Sequence, residues 1–297
     1  MELLTRETKG MLLGLVGVII FSITLPATRV AVATLDPMFV GLGRSVLAAH
    51  LAVVALLVTR QRIPTLAQFK LLAVCALGVI FGFPALTSWA MQQVPSAHGA
   101  VVVGLLPLAT AIASTFVNHE RPSRAFWIAS AAGSALVVGF ALTMGAGALH
   151  LADLALLGAV ALGGVGYAAG ARVTRELGGW QTISWALVIS VPVLLPITGA
   201  AAARTNFASV PWQAWAGFVY VALFSQYLGF FAWYRGLDLG GVARVSQVQL
   251  LQLFLTLGFA ALLAGETITP TMIGFAVAVV AVVALGRRAP VRRDQAR

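Results

Sequence analysis

The chain has 297 residues, of which 60% are hydrophobic and only 9% charged, against roughly 25% charged in an average soluble domain. Lys and Arg outnumber Asp and Glu by 19 to 9, a formal net charge of +10. A polyanion partner would need those cations gathered on one solvated face. Here they punctuate long apolar runs at nearly regular intervals, which excludes nucleic acid and indicates an integral membrane protein. The lone cysteine, Cys75, lies inside an apolar run, so neither a disulfide framework nor a thiolate metal site is expected.

A bilayer core takes about 20 residues of helix. Cutting the chain at charged and turn-forming clusters gives ten spans, near 10–32, 38–58, 70–92, 97–117, 124–144, 152–172, 181–201, 212–234, 243–264 and 271–286. Arg6 and Lys9 precede the first, which is longer than a signal-peptide core and is expected to stay attached. Stretches such as Ile273 to Leu285 show no two-residue alternation, so the spans are helices rather than barrel strands. With the N-terminus inside, 16 of the 19 basic residues fall in cytoplasmic segments, the bias that orients membrane proteins. Both termini are therefore expected in the cytoplasm, the basic tail from Arg287 resting on anionic headgroups.

Taken in chain order, polar and aromatic residues mark candidate cavity positions. The first span carries Thr24 with Pro26. In the second, Arg44 suits either a substrate carboxylate or helix-end carbonyls and lipid phosphate near the outer surface, and His50 suits either proton coupling or a bond to a neighbouring helix. The third offers Pro84, Ser88, Trp89 and Gln92, and the fourth Pro107 with Thr110; a mid-helix proline frees a carbonyl that must meet a cavity or a polar group. Tyr167 follows paired glycines in the sixth. In the eighth, Gln226, Phe230 and Trp233 share a helix face with Tyr227 beside them, and in the ninth Gln249, Gln252 and Thr256 do the same. No carboxylate lies at mid-span, which favours movement down a gradient over carboxylate-based proton antiport. No metal or cofactor is implied. His50, His98, His119 and His150 fall in separate segments without metal-ligand spacing, which argues against a membrane-embedded enzyme, and no filter-like segment argues for a channel.

The fourth and ninth spans superpose on a shift of 146 residues: Pro95 to Glu120, with Thr110, matches Gly241 to Glu266, with Thr256, and the similar runs Leu105–Leu108 and Leu250–Leu253 lie within one residue of that shift. A duplication of that length gives five spans per copy, and an odd number makes the second copy enter from the opposite side. The expected fold is all-α integral membrane, with ten transmembrane helices as two inverted repeats, residues 1–147 and 148–289, and a basic tail at 290–297. Four features then resemble the EamA-type branch of the drug/metabolite transporter superfamily: Arg44 after Asp36–Pro37, the Pro107 span ending in His119-Glu120-Arg121-Pro122, the stretch Ala232-Trp233-Tyr234-Arg235-Gly236-Leu237, and the ninth span closed by Glu266. Within that branch the chain is most similar to aromatic amino acid exporters of the YddG type. The resemblance implies a multi-pass carrier of the bacterial inner membrane, working as a monomer on amino acids or related small metabolites, by alternating access between the repeats. A broad-specificity drug or metabolite exporter is the alternative. The second repeat departs by lacking any arginine from Gln181 to Ala201, so a role for Arg44 would not be duplicated.

The topology predicts that reporter fusions after Gly145 and after Arg297 report opposite sides of the membrane; the same side for both would overturn the inverted ten-span reading.

Overall fold

The computed structural model describes residues 5–143, 151–264, 269–288 and 291–293. They are helical almost throughout. In chain order the helices are α1 (Arg6–Val32), α2 (Pro37–Val58), α3 (Leu66–Gln93), α4 in two pieces (Ser96–Val103 and Leu106–Val117), α5 (Arg124–Thr143), α6 (Leu151–Leu177), α7 (Gly179–Ala202), α8 (Trp212–Gly240), α9 (Val242–Leu263) and α10 (Pro270–Arg288). Among the described residues, α1, α2, α3, α6, α7, α8 and α9 are long and apolar enough to cross a membrane, and Leu106–Val117 is a shorter apolar helix. A departure from pure helix is a short antiparallel ladder pairing Glu120–Pro122 with Val291–Arg293. Glu266, His150 and the residues flanking Gly145 lie outside the described residues.

The helix starts follow local chemistry. Asp36 accepts from the amides of Met38 and Phe39 with Pro37 at the first turn of α2, and Thr65 with Gln68 closes a capping box on α3. Gly178 and Gly241, at φ 99° and 92°, make the one-residue links from α6 to α7 and from α8 to α9. That left-handed backbone is open to glycine at little cost.

Several helices are interrupted at mid-length. Pro26 lacks the amide that would bond Ser22, and α1 breaks at Ile23. Pro107 likewise leaves Val103 without its partner, and α4 breaks between Val103 and Leu106. In α3 the turn before Pro84 widens into a π-helix over Leu77–Gly82, and α8 has the same widening over Val221–Leu228. The last residues of these two stretches are 146 apart. In α9 the chain tightens to a 3-10 helix over Ser246–Leu251.

Packing pairs α1 with α8, α3 with α6, α2 with α7, and α5 with α10. Glycines set the closest approaches. A Cβ on Gly10 would lie 2.5 Å from the Gly240 amide nitrogen, one on Gly236 would lie 2.8 Å from Gly14, and one on Gly78 would lie 2.3 Å from the Leu162 carbonyl oxygen. Backbones brought that near gain dispersion contacts that bulkier residues would prevent, the main source of helix association where lipid supplies no hydrophobic drive.

Gly78→Ala is expected to destabilise the protein by about 1–3 kcal/mol through forced separation of α3 from α6. Gly199→Ala, where a Cβ meets nothing within 4 Å, is expected to leave stability unchanged or raise it by up to about 1 kcal/mol. Thermal unfolding in detergent reads both; equal melting temperatures for the two variants would contradict the packing account.

Candidate functional site

The interruptions of α1, α3, α8 and α9 border one central cavity. It is a narrow cleft with about 20 Å³ of free volume, room for about one water, well below the roughly 300–1,000 Å³ of an open small-molecule site. From the first half of the chain, α1 contributes Phe21, Thr24 and Leu25, α2 contributes Arg44, and α3 contributes Val79 and Phe83. From the second half come Tyr167 of α6, Ser225, Gln226 and Phe230 of α8, and Gln252 of α9. The spacing of 21, 24 and 25 and of 79 and 83 puts each set on a single helix face.

Rings form much of the wall. Phe21 and Phe230 lie 5.1 Å apart by centroid, and Tyr167 is 5.9 Å from Phe230 and 5.4 Å from Trp233. These are offset or edge-on contacts of the kind aromatic pairs prefer. Polar groups join the two halves between the rings. The Thr24 and Ser225 hydroxyls are hydrogen-bonded at 2.8 Å. Gln226 Nε2 donates to the Val79 carbonyl at 3.1 Å, inside the widened turn of α3, and this fixes the amide so that Oε1 is left without a partner. Gln249 is buried beside the Tyr167 hydroxyl, although neither amide atom makes a well-formed hydrogen bond.

Arg44 is the charged member of the wall. It is 2% exposed, and its Nε and Nη1 have no hydrogen-bond partner. The guanidinium borders the cavity, and neither Nε nor Nη1 bonds a helix-end carbonyl.

Other marked positions lie away from the cleft. Pro84 and Ser88 face α2 across Gly41, where a Cβ would come within 2.7 Å of the Pro84 carbonyl oxygen and 3.0 Å of Ser88 Oγ. Thr110 donates to the Leu106 carbonyl of its own helix and packs on Gly164, with Pro107 at the start of the same piece. The Tyr227 hydroxyl pairs with Ser184 of α7 at 2.9 Å, turned from the cleft. Thr256 is buried further along α9, and Trp89 is half-buried against the core. Gln92 borders a second, open recess with Arg29, whose guanidinium bonds the Met91 and Val94 carbonyls. His50 faces outward and shares its Nδ1 with the Val46 carbonyl of its own helix at 2.8 Å, so neither cavity coupling nor a bond to a neighbouring helix fits its position. Phe21, Leu25, Val79, Phe83 and Ser225 are lining residues that the candidate set omitted.

One end of the cleft is plugged. Trp233 and Tyr234 are fully buried, Trp233 against Gly14 and Gly17, and the Tyr234 hydroxyl against the Cys75 sulfur at 3.1 Å. Beyond them, Glu120 accepts from the Val242 and Ala243 amides at 3.0 and 2.7 Å and from Ser114, capping α9, where a carboxylate meets the positive end of the helix dipole. The same end holds the Glu7–Arg244 ion pair and the bond from Arg172 to the Val117 carbonyl. At the opposite end His98 pairs with Asp153 at 2.5 Å. Asp153 and Arg244 follow Glu7 and His98 by 146 residues each, so the two pairs occupy matching positions in the two halves.

Comparison with known proteins agrees with this layout. The crystal structure of a protein with 15% sequence identity has the same fold, at a TM-score of 0.76 over 95% of this chain and 99% of its own. A protein of Bacillus subtilis (strain 168), named as the uncharacterized transporter YdeK, is 45% identical over 285 residues, covering 96% of this chain and 99% of that one. The sequence pattern of the EamA-like transporter family matches twice, over residues 8–144 and 150–287, the two segments that wall the cavity. The matches span nearly the whole length, and the chain belongs to the EamA-like transporter family.

Proposed function

We propose that the protein is a secondary transporter that exports amino acids, aromatic ones foremost, by alternating access through the central cavity between two inverted five-helix repeats. The carrying observation is a cavity walled by both halves, in which aromatic rings alternate with a few placed polar groups. Apolar walls with sparse oriented polar groups suit a small zwitterion bearing a ring. The relative named as a transporter and the family match support carriage of a small molecule. Substrate class, export direction and a monomeric carrier in the bacterial inner membrane, with cytoplasmic termini, follow from the resemblance and the charge bias of the sequence.

Several observations support the repeat. The family pattern fits each half separately. The widened turns of α3 and α8, the irregular stretches of α4 and α9, and the ion pairs Glu7–Arg244 and His98–Asp153 all correspond on the 146-residue shift. Ten spans in two copies of five place one ion pair at each membrane face, and alternating access opens one end of the cleft while the other stays latched. The Trp233–Tyr234 plug then closes the cytoplasmic side.

Purified protein in liposomes is expected to carry labelled L-phenylalanine or L-tryptophan saturably, with counterflow driven by unlabelled substrate and without a pH gradient. Flux that never saturates and lacks counterflow would mean a channel, and flux that vanishes without the gradient would restore proton coupling.

Gln226→Leu and Gln252→Leu keep side-chain size and remove hydrogen bonding worth about 1 kcal/mol each. Flux per folded molecule is expected to fall severalfold in both, with little change in melting temperature for Gln252→Leu and a lowered one for Gln226→Leu, which leaves the Val79 carbonyl unpaired. Normal flux with lowered stability would reassign both as helix glue.

A further inference from the structure

Arg44 is a cation without a counter-ion. It is 2% exposed, Nε and Nη1 are unpartnered, and the ion pairs His98–Asp153, Arg235–Asp238 and Glu7–Arg244 do not involve it. The buried carboxylates described, Glu120 and Asp153, are engaged at the ends of the bundle. Nearest in character is the neutral Tyr167 hydroxyl on the same wall. A buried guanidinium in that state is left short of the partner that normally accompanies a charge in a low-dielectric interior. Its planar fork matches a carboxylate, which it can hold by two parallel bonds.

A second unmet group lies in the same cavity. Gln226 Oε1 is buried and unpartnered, with its orientation set by the Nε2 bond to Val79. An amide oxygen can only accept, so its complement is an N–H donor such as an ammonium.

We infer that Arg44 is the carboxylate anchor of the substrate site and Gln226 Oε1 its ammonium acceptor, so that the cavity selects α-amino acids and rejects amines that lack a carboxylate. This rests on the central cavity being the transport site. It separates amino acid carriage from export of cationic drugs, which an uncompensated arginine would repel.

The test uses four probes: 3-phenylpropionate and butyrate carry only the carboxylate, phenethylamine and butylamine only the ammonium. Each is measured against purified wild-type protein and Arg44→Gln, by thermal stabilisation in detergent and by inhibition of L-phenylalanine counterflow in liposomes. On wild type the carboxylates are expected to act at concentrations about tenfold or more below those of the matching amines, as loss of one charge-assisted bond would give. Arg44→Gln is expected to erase that preference, and Arg44→Lys to restore part of it. Amines equal to or better than carboxylates on wild type would overturn the inference, as would a preference that survives in Arg44→Gln. If Arg44→Gln does not fold, the wild-type ranking decides alone. Stabilisation by butyrate but not butylamine, with no action of any aromatic probe, would uphold the anchor and overturn the aromatic substrate reading instead.

Discussion

Lipid offers a backbone amide nothing to bond with, so every peptide group crossing it must find its partner inside the protein. Regular helix meets this demand alone; an interrupted helix does not. The break in α1, the widened turns of α3 and α8 and the tightened stretch of α9 all lie at or beside residues that line the cleft. One freed carbonyl, that of Val79, takes the Gln226 amide, and this bond ties the two halves together at the cavity. The irregular backbone is thus tolerated only where side chains and a cleft compensate it, and those are the places where a ligand can meet polar groups.

Glycine sets the second condition. Along α1 and α8, and along α3 and α6, side-chain-free surfaces bring backbones into contact. Such faces let the backbones approach closely and gain van der Waals packing in place of a hydrophobic drive. The same pairs hold the cavity between them. The ion pairs and the Glu120 cap at the helix ends supply the discrete, directional contacts that smooth faces lack.

The helical, membrane-crossing character was legible because length and apolarity state it directly. Individual faces were legible where helix geometry is regular: Gln226 and Phe230, four residues apart, border the cavity together. What failed to show was how each helix is rotated. Pro84 and Ser88 turn toward α2 after a π-turn that shifts the register of α3, while Val79 and Phe83, apolar and unremarkable in sequence, take the cavity face. Apolar lining residues carry no polar signal to find them by. His50 and Arg44 share a helix and differ in fate because six residues turn the helix well past half a revolution, one toward the outside and one toward the cleft. The Arg44 environment depends on partners more than 100 residues away, and spacing within α2 says nothing about them.

Arg44 also brings membrane voltage into the mechanism. It is the eighth residue of α2, about 10 Å along the helix at 1.5 Å per residue. The residue 146 positions further on is Ser190, which is uncharged, so the proposed repeat would not duplicate the charge. In the proposed alternating-access cycle the watery vestibule changes sides, and the steep part of the potential drop moves across Arg44 even if the guanidinium hardly travels. A full elementary charge crossing the drop is worth about 2.3 kcal/mol per 100 mV, and Arg44 feels a fraction of it. On the proposed cycle, an inside-negative membrane favours the state in which that cation faces the cytoplasm.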